Sequence, residues 1–309
     1  MIFKNPELFW KNFNLGTELQ ISGSFIYNAL YHLDKMKNFR YEEDCFEFLY
    51  NISVGIERLQ KITIILFEHE NTTIENQKLF EKSLITHNHV ELQNRISKHQ
   101  EINFGSVHHR FIELIAEFYK STRYQRFNLD SVNNPSQDKE RLIKFLDTEL
   151  KFGDLDKTYI KVDERIKKFI GNIVKKISLP LYSVIKDQAH RIGTFTYELS
   201  YESKAFKIFI CEEFSFSNER RLQKEILIHL LNLKDDDHLI TFIKRIKPLG
   251  FESYNTKSYI NYLLGDFISS SILDEVEQLD EVNKFDKDRL EAVNFIDDYE
   301  YFIEPDEVN

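Results

Sequence analysis

The chain has 309 residues, 42% hydrophobic and 30% charged, with a formal net charge of −10. That balance describes a folded globular chain and excludes disordered, collagenous and fibrous classes. No apolar run approaches the roughly 20 residues of a membrane span, and the opening MIFKNPELFWKNF lacks the basic-then-apolar pattern of a leader, so the expectation is a cytoplasmic protein with no membrane partner.

Cys45 and Cys211 stand far apart and alone. They build neither a disulfide framework nor a zinc knuckle and suit a reducing compartment. The charge is uneven. Residues 266–309 hold 15 Asp/Glu against 3 Lys/Arg, which leaves 36 acidic and 38 basic residues in 1–265. Such an acidic segment is a solvated helix or tail, or else a cover for a basic surface or a basic protein partner.

In chain order, Asn5-Pro6-Glu7 reads as a helix start: a cap, a proline where no N–H is needed, and an acid at the positive end. Leu19, Gly23, Ile26, Leu30 and Leu33 recur at three- and four-residue steps, one face of a helix, with Gly23 suited to close approach by a neighbour. A second helix is predicted over 42–70, with Phe46, Leu49, Ile52, Ile56, Leu59 and Ile62 as its stripe. Thr72-Thr73-Ile74-Glu75 has capping-box spacing. Helices follow over 88–97 and 104–123, the second with Phe111, Ile115, Phe118 and Thr122 on one face; Asn133-Asn134-Pro135-Ser136 interrupts, and 139–152 is helical again. Residues 1–153 therefore read as a helical bundle.

The second domain is predicted over 154–309 and mostly helical. Asp163–Ile177 is a basic amphipathic helix ending before Pro180, and another helix spans 181–191. Phe195, Tyr197 and Leu199, then Phe206, Ile208 and Ile210, alternate with polar residues. That alternation predicts a β-hairpin at 194–212, whose aromatics could line a small-molecule pocket. Helices are expected over 219–231, 237–246 and 259–268. The fold class is thus mainly α with one hairpin, and no fixed-period repeat is present.

Nucleotide loops, HExxH and GxSxG are missing from the sequence. Gly23-Ser24 lies inside a helical stripe and is followed by no paired aspartates. His87 and His89 would point about 200° apart on a helix, His108 and His109 diverge similarly, and Asp235-Asp236-Asp237 reads as a solvated loop. No metal or cofactor is expected. Arg95 and His99 would share a helix face at i,i+4.

Three stretches stand out: Gly55-Ile56-Glu57-Arg58-Leu59-Gln60-Lys61, Thr86-His87-Asn88-His89-Val90-Glu91-Leu92 and Arg123-Tyr124-Gln125-Arg126-Phe127-Asn128. Their order resembles the HEPN superfamily of helical-bundle domains, over residues 15–153. The resemblance implies RNA as partner, a homodimer, and a bacterial defence or toxin–antitoxin setting. Active members are metal-independent ribonucleases in which the motif arginine stabilises the phosphate and a histidine moves protons. RNA carries its own 2′-hydroxyl nucleophile, so positioning, charge stabilisation and proton transfer suffice, and a planar guanidinium matches phosphate oxygens. Two positions depart from the pattern: Tyr124 replaces a small polar residue, and Asn128 stands where histidine is expected. Asparagine cannot exchange a proton near neutral pH.

The candidate catalytic residues are Arg123, Asn128, His87 and Glu57, with His87 or His99 as sources of the missing imidazole. Candidate RNA-binding residues are Arg126, Lys161, Arg165 and Lys168, the last three on the basic helix. Each has a bland alternative: an interhelical Glu57–Arg58 pair, a capping or core His87, arginines decorating a helix C-terminus, and a solvated basic face. The expected function is a ribonuclease or a non-catalytic RNA-binding relative; the alternative is a helical interaction or dimerisation protein.

Overall fold

The computed structural model describes residues 5–70, 73–133, 137–152, 160–233, 238–265, 270–283 and 287–298. The expected boundary at 153/154, the Asp235-Asp236-Asp237 run and the end of the acidic segment lie outside them. Two compact units are formed, Met1–Phe216 and Ser217–Asn309. The helices expected to open a second domain at 154 therefore belong to the first unit.

In the first unit, α1 (Pro6–Phe9) runs through a π-turn into α2 (Leu15–Lys35); α3 (Glu42–Glu68), α4 (Ile74–Ser83), α5 (His89–Ser97) and α6 (Ser106–Lys120) follow. Two 3₁₀ turns (Thr122–Phe127 and Leu129–Asn133) lead to α7 (Gln137–Leu150), α8 (Glu164–Ile192) and α9 (Lys204–Phe209). The α1 start is built as read, with Asn5 accepting from the Glu7 and Leu8 amides; α4 begins as expected after the threonines, but its cap is Thr73, accepting from the Asn76 amide, while Thr72 of the Thr72–Glu75 box lies outside the described residues. Helix α3 is the spine, with Phe48, Leu49, Ile52, Ile56, Leu59 and Ile64 fully enclosed, and α2, α5, α6, α7 and α8 pack on it. Gly55 lets α2 approach closely. A Cβ there would sit 2.7 Å from Ile26 Cγ1, and Ser22 Oγ donates to the Gly55 carbonyl at 2.7 Å.

Two expectations are corrected. The first is the proline break: α8 runs unbroken through Pro180. Ile170, Ile173, Val174, Ile177, Leu181 and Ile185 form one buried stripe across it, and burying six aliphatic side chains outweighs the roughly 3 kcal/mol that an interior proline costs. The second is the hairpin. Among the described residues no strand forms; one isolated backbone bridge joins Asn38 and Lys161. Residues 204–209 are helix α9, capped by Ser203 Oγ, which accepts from the Phe206 amide at 3.1 Å. Ala205, Ile208 and Phe209 are buried, a helical spacing that places Ala205 against Gly23 of α2. Phe195 and Ile210, which a hairpin would bury, are about half exposed.

The second unit carries α10 (Ser217–Leu231), α11 (His238–Arg245), α12 (Thr256–Leu263), α13 (Ser270–Asn283) and α14 (Lys287–Asp298). Glu275 of α13 accepts from the Glu252 amide, Asn255 Nδ2 and Tyr259 Oη, at 2.5, 3.0 and 2.6 Å. Most of the described acidic segment is therefore helical. No described helix is long and apolar enough to cross a membrane.

Candidate functional site

Glu57 lies on α3, 7% exposed. A buried carboxylate needs partners, and both of its oxygens have one: Lys61 Nζ reaches Oε1 at 2.7 Å and His87 Nδ1 lies 3.0 Å from Oε2. Arg58, the neighbour considered as its partner, pairs instead with Glu18 of α2. Since an ionised carboxylate only accepts, His87 Nδ1 carries the proton in this bond. In the neutral ring that leaves Nε2 as a free base.

His87 is held by its neighbours rather than by a helix of its own. Asn88, not His87, caps α5, accepting from the Glu91 amide. His89 anchors the segment in the core: its Nε2 lies 2.8 Å from the Ser53 carbonyl, and Gln60 Nε2 donates to its own carbonyl at 3.0 Å. Burial holds the His89 imidazole below its ordinary value, outweighing the contrary pull of the Ser53 carbonyl and Glu57. His89 is thus the core histidine, bonded through Nε2 while its buried Nδ1 has no hydrogen-bond partner, and the His87 side chain stays 46% exposed.

Tyr119, at the end of α6, joins these groups to the RYQRFN segment. Its ring meets His87 edge-on at 5.0 Å and carries the Arg123 guanidinium at 3.9 Å. Burial and the nearby Glu57 carboxylate push the Tyr119 phenol up, against the opposite pull of Arg123. The phenol keeps its proton at neutral pH. The guanidinium also rests 4.5 Å from the Tyr124 ring. In the first unit Arg58, Arg95, Arg110, Arg126 and Arg141 each face a carboxylate. Arg123, like Arg40, Arg165 and Arg191, has none among the described residues; what sets it apart is a buried Nε without a hydrogen-bond partner. Tyr119, which no motif flagged, is the contact that gathers Glu57, His87 and Arg123; a tyrosine inside an apolar stripe reads as core.

The other predicted residues are elsewhere engaged. Arg126 donates to both oxygens of Asp138 at 2.9 and 2.7 Å, and to Glu42 at 3.2 Å. Burial works against its charge, but those two carboxylates raise its pKa overall. Asn128 closes the 3₁₀ turn through its backbone, donating to the Gln125 carbonyl at 2.9 Å, and shares no contact with Glu57, His87 or Arg123 among the described residues. Arg165 donates to the Leu150 carbonyl at 2.7 Å, while Lys161 and Lys168 are exposed. Arg95 and His99 both bind Glu68, with His99 Nε2 3.0 Å from Oε1. Those hydrogen bonds outweigh burial and hold the Glu68 carboxyl below its ordinary value, so Arg95 and His99 form a structural clamp. Cys45 is buried and its thiol is pushed up to about 12, chiefly by that burial.

Chemically, the Tyr119 cluster offers a half-exposed base oriented by a carboxylate and a guanidinium not neutralised by a carboxylate. Among the described residues no group of three or more His, Cys, Asp or Glu is arranged to hold a metal ion. No protein-family model, curated protein or solved structure matches the chain.

Proposed function

We propose that the first unit is an RNA-directed, HEPN-like domain whose Glu57–His87–Arg123 cluster cleaves RNA without metal. The observation that carries this reading is the convergence on one tyrosine ring of a carboxylate-bound imidazole and an arginine with no carboxylate. In the step envisaged, His87 Nε2 takes the proton of a 2′-hydroxyl, whose oxygen attacks the adjacent phosphorus. Arg123 binds the non-bridging oxygens as their charge grows. The P–O5′ bond breaks and the leaving oxygen takes a proton from water, giving a 2′,3′-cyclic phosphate and a 5′-hydroxyl; the hydroxide left is neutralised by the proton that His87 gives back, which restores the base. Glu57 holds the ring in its tautomer and offsets the imidazolium charge, and Lys61 holds Glu57. His87 thereby supplies what Asn128 cannot. Assembly as a homodimer and a bacterial defence or toxin–antitoxin role belong to the same proposal and rest on the order of motifs alone.

The test is incubation of purified protein with mixed RNA in chelator, beside His87→Ala and Arg123→Ala. Cleavage to cyclic-phosphate ends that falls 100-fold or more in both variants, on the order of one general base, supports the enzyme. Salt-sensitive binding without cleavage identifies a non-catalytic RNA binder. Neither cleavage nor binding refutes both RNA readings. It would leave the second reading, a helical interaction module, for which the exposed Leu222, Ile226 and Leu230 on one side of α10 speak.

A further inference from the structure

The RYQRFN turn carries a second feature that cleavage chemistry does not use. Phe127 is 84% and Tyr124 59% exposed, a large apolar loss for side chains with no packing role. Their exposure follows from local geometry. The segment Thr122–Phe127 is a 3₁₀ helix, with three residues per turn, so positions i and i+3 eclipse. Thr122 turns inward and is buried, while Tyr124 and Phe127 share the outer side, ring centroids 6.3 Å apart and tilted by 42°. The inner edge of the pair is Arg123, stacked on Tyr124 at 4.5 Å. The turn thus presents two accessible π-faces continuous with one cation that no carboxylate neutralises.

We propose that Tyr124 and Phe127 form a stacking subsite for a nucleobase, placed so that the phosphate beside that base meets Arg123. The proposal rests on the RNA reading above and adds to it a ligand group, the base, with the residues that receive it. A ligand that is both anionic and flat-aromatic fits the patch. Stacking serves any base, since every base has a π-face, whereas a purely apolar protein segment would leave Arg123 facing no anion. The Tyr at 124, a departure from the small polar residue of the HEPN pattern, acquires a role: it holds the guanidinium and extends the platform.

The test is equilibrium binding of a short single-stranded RNA containing 2-aminopurine, in chelator, with Phe127→Leu, Phe127→Trp and Tyr124→Leu. Phe127 touches little, so its two variants are expected to match the wild-type melting temperature. Stacking quenches 2-aminopurine emission. The expectation is quenching with the wild type and Phe127→Trp, and affinity lowered roughly 5- to 100-fold in the leucine variants, the effect of one base stack. An oligonucleotide abasic at the quenched position is then bound equally weakly by wild type and Phe127→Leu. Leucine keeps the apolar surface but has no ring, so unchanged affinity in Phe127→Leu overturns the subsite. If that occurs while His87→Ala still abolishes cleavage, the functional reading survives without it. Weakened binding in Phe127→Leu by a protein that never cleaves supports the subsite and removes the catalytic reading. A wild type that binds no RNA overturns both, and an Arg123- or Phe127-dependent change of oligomeric state in that case identifies a second copy as the occupant.

Discussion

Arg126→Ala tests whether Arg126 is a structural arginine in the RYQRFN turn. Arg126 bridges Asp138, whose side chain is 2% exposed, and its own side chain is 35% exposed. Removing the guanidinium leaves Asp138 buried with its own neighbour's amide, Lys139 N at 3.0 Å, as donor. Orphaning a buried charge costs about 3–5 kcal/mol. The half-open setting of Arg126 places this pair at the lower end, roughly 3 kcal/mol. For a unit the size of Met1–Phe216, that corresponds to a melting temperature lower by roughly 6–12 °C.

The assay is urea denaturation followed by circular dichroism, with the midpoint read at constant slope. Adding Asp138→Asn to Arg126→Ala removes the stranded charge, and more than half of the lost stability is expected to return. Coupling of this kind is diagnostic of a direct contact. The reasoning fails if Arg126→Ala melts like the wild type and instead weakens RNA binding with a shallower salt dependence, the signature of a phosphate contact.

Gly23→Ala tests the α2–α9 contact that replaces the expected hairpin. The new Cβ would lie 2.5 Å from both Cα and Cβ of Ala205, so overpacking is expected to cost about 1–3 kcal/mol, read from the urea midpoint; wild-type stability would mean that α9 does not sit there. His89 makes the fold sensitive to mild acid. Its pKa lies below the ordinary 6.5 in the fold, so below pH 6.5 the unfolded chain binds a proton that the folded chain does not. Stability should therefore decline as pH drops from 6.5 towards the folded value, by up to about 1.4 kcal/mol per pH unit from this group. Midpoints measured between pH 7.5 and 5.5 check this, and His89→Asn is expected to flatten the dependence.

The parts legible in the sequence were those where one physical signal dominates. The α3 stripe from Leu49 to Ile62 leaves no alternative to a buried helix face, and the cap at Asn5 is a chemical statement about orphan amides. Residues 204–210 carried two signals: Phe206, Ile208 and Ile210 fit a strand, Ala205, Ile208 and Phe209 a helix, and the available neighbour, Gly23, lies far away in sequence. Pro180 misled for the same reason, since the stripe that overrides it is satisfied only by other helices. In the site, Glu57, His87 and Arg123 were visible because they lie in the three stretches whose order resembles the HEPN pattern. Tyr119 was not, because an aromatic on a packed face is ordinary. Nor was the loss of Arg126 to Asp138, which depends on α7 folding back on the turn.

Arg123 and Arg126 lie three residues apart in one 3₁₀ helix, yet their surroundings oppose each other. The carboxylates Asp138 and Glu42 converge on Arg126, which makes that arginine a tether between the turn, α7 and the start of α3. Around Arg123 the nearby carboxylate, Glu57, is already shared between Lys61 and His87, and the guanidinium rests on the rings of Tyr119 and Tyr124. Stacking on the two rings itself stabilises the guanidinium, by about 0.5–2 kcal/mol, so the lack of a carboxylate fits a structural role as well as the proposed anion contact. The imidazole meets the Tyr119 ring edge-on and the guanidinium lies over it, and the proposed function assigns proton transfer to the first and anion binding to the second. Among the described residues no hydrogen bond or ring contact joins Asn128 to Tyr119, whereas His87, thirty-six residues before Arg123, meets that ring edge-on.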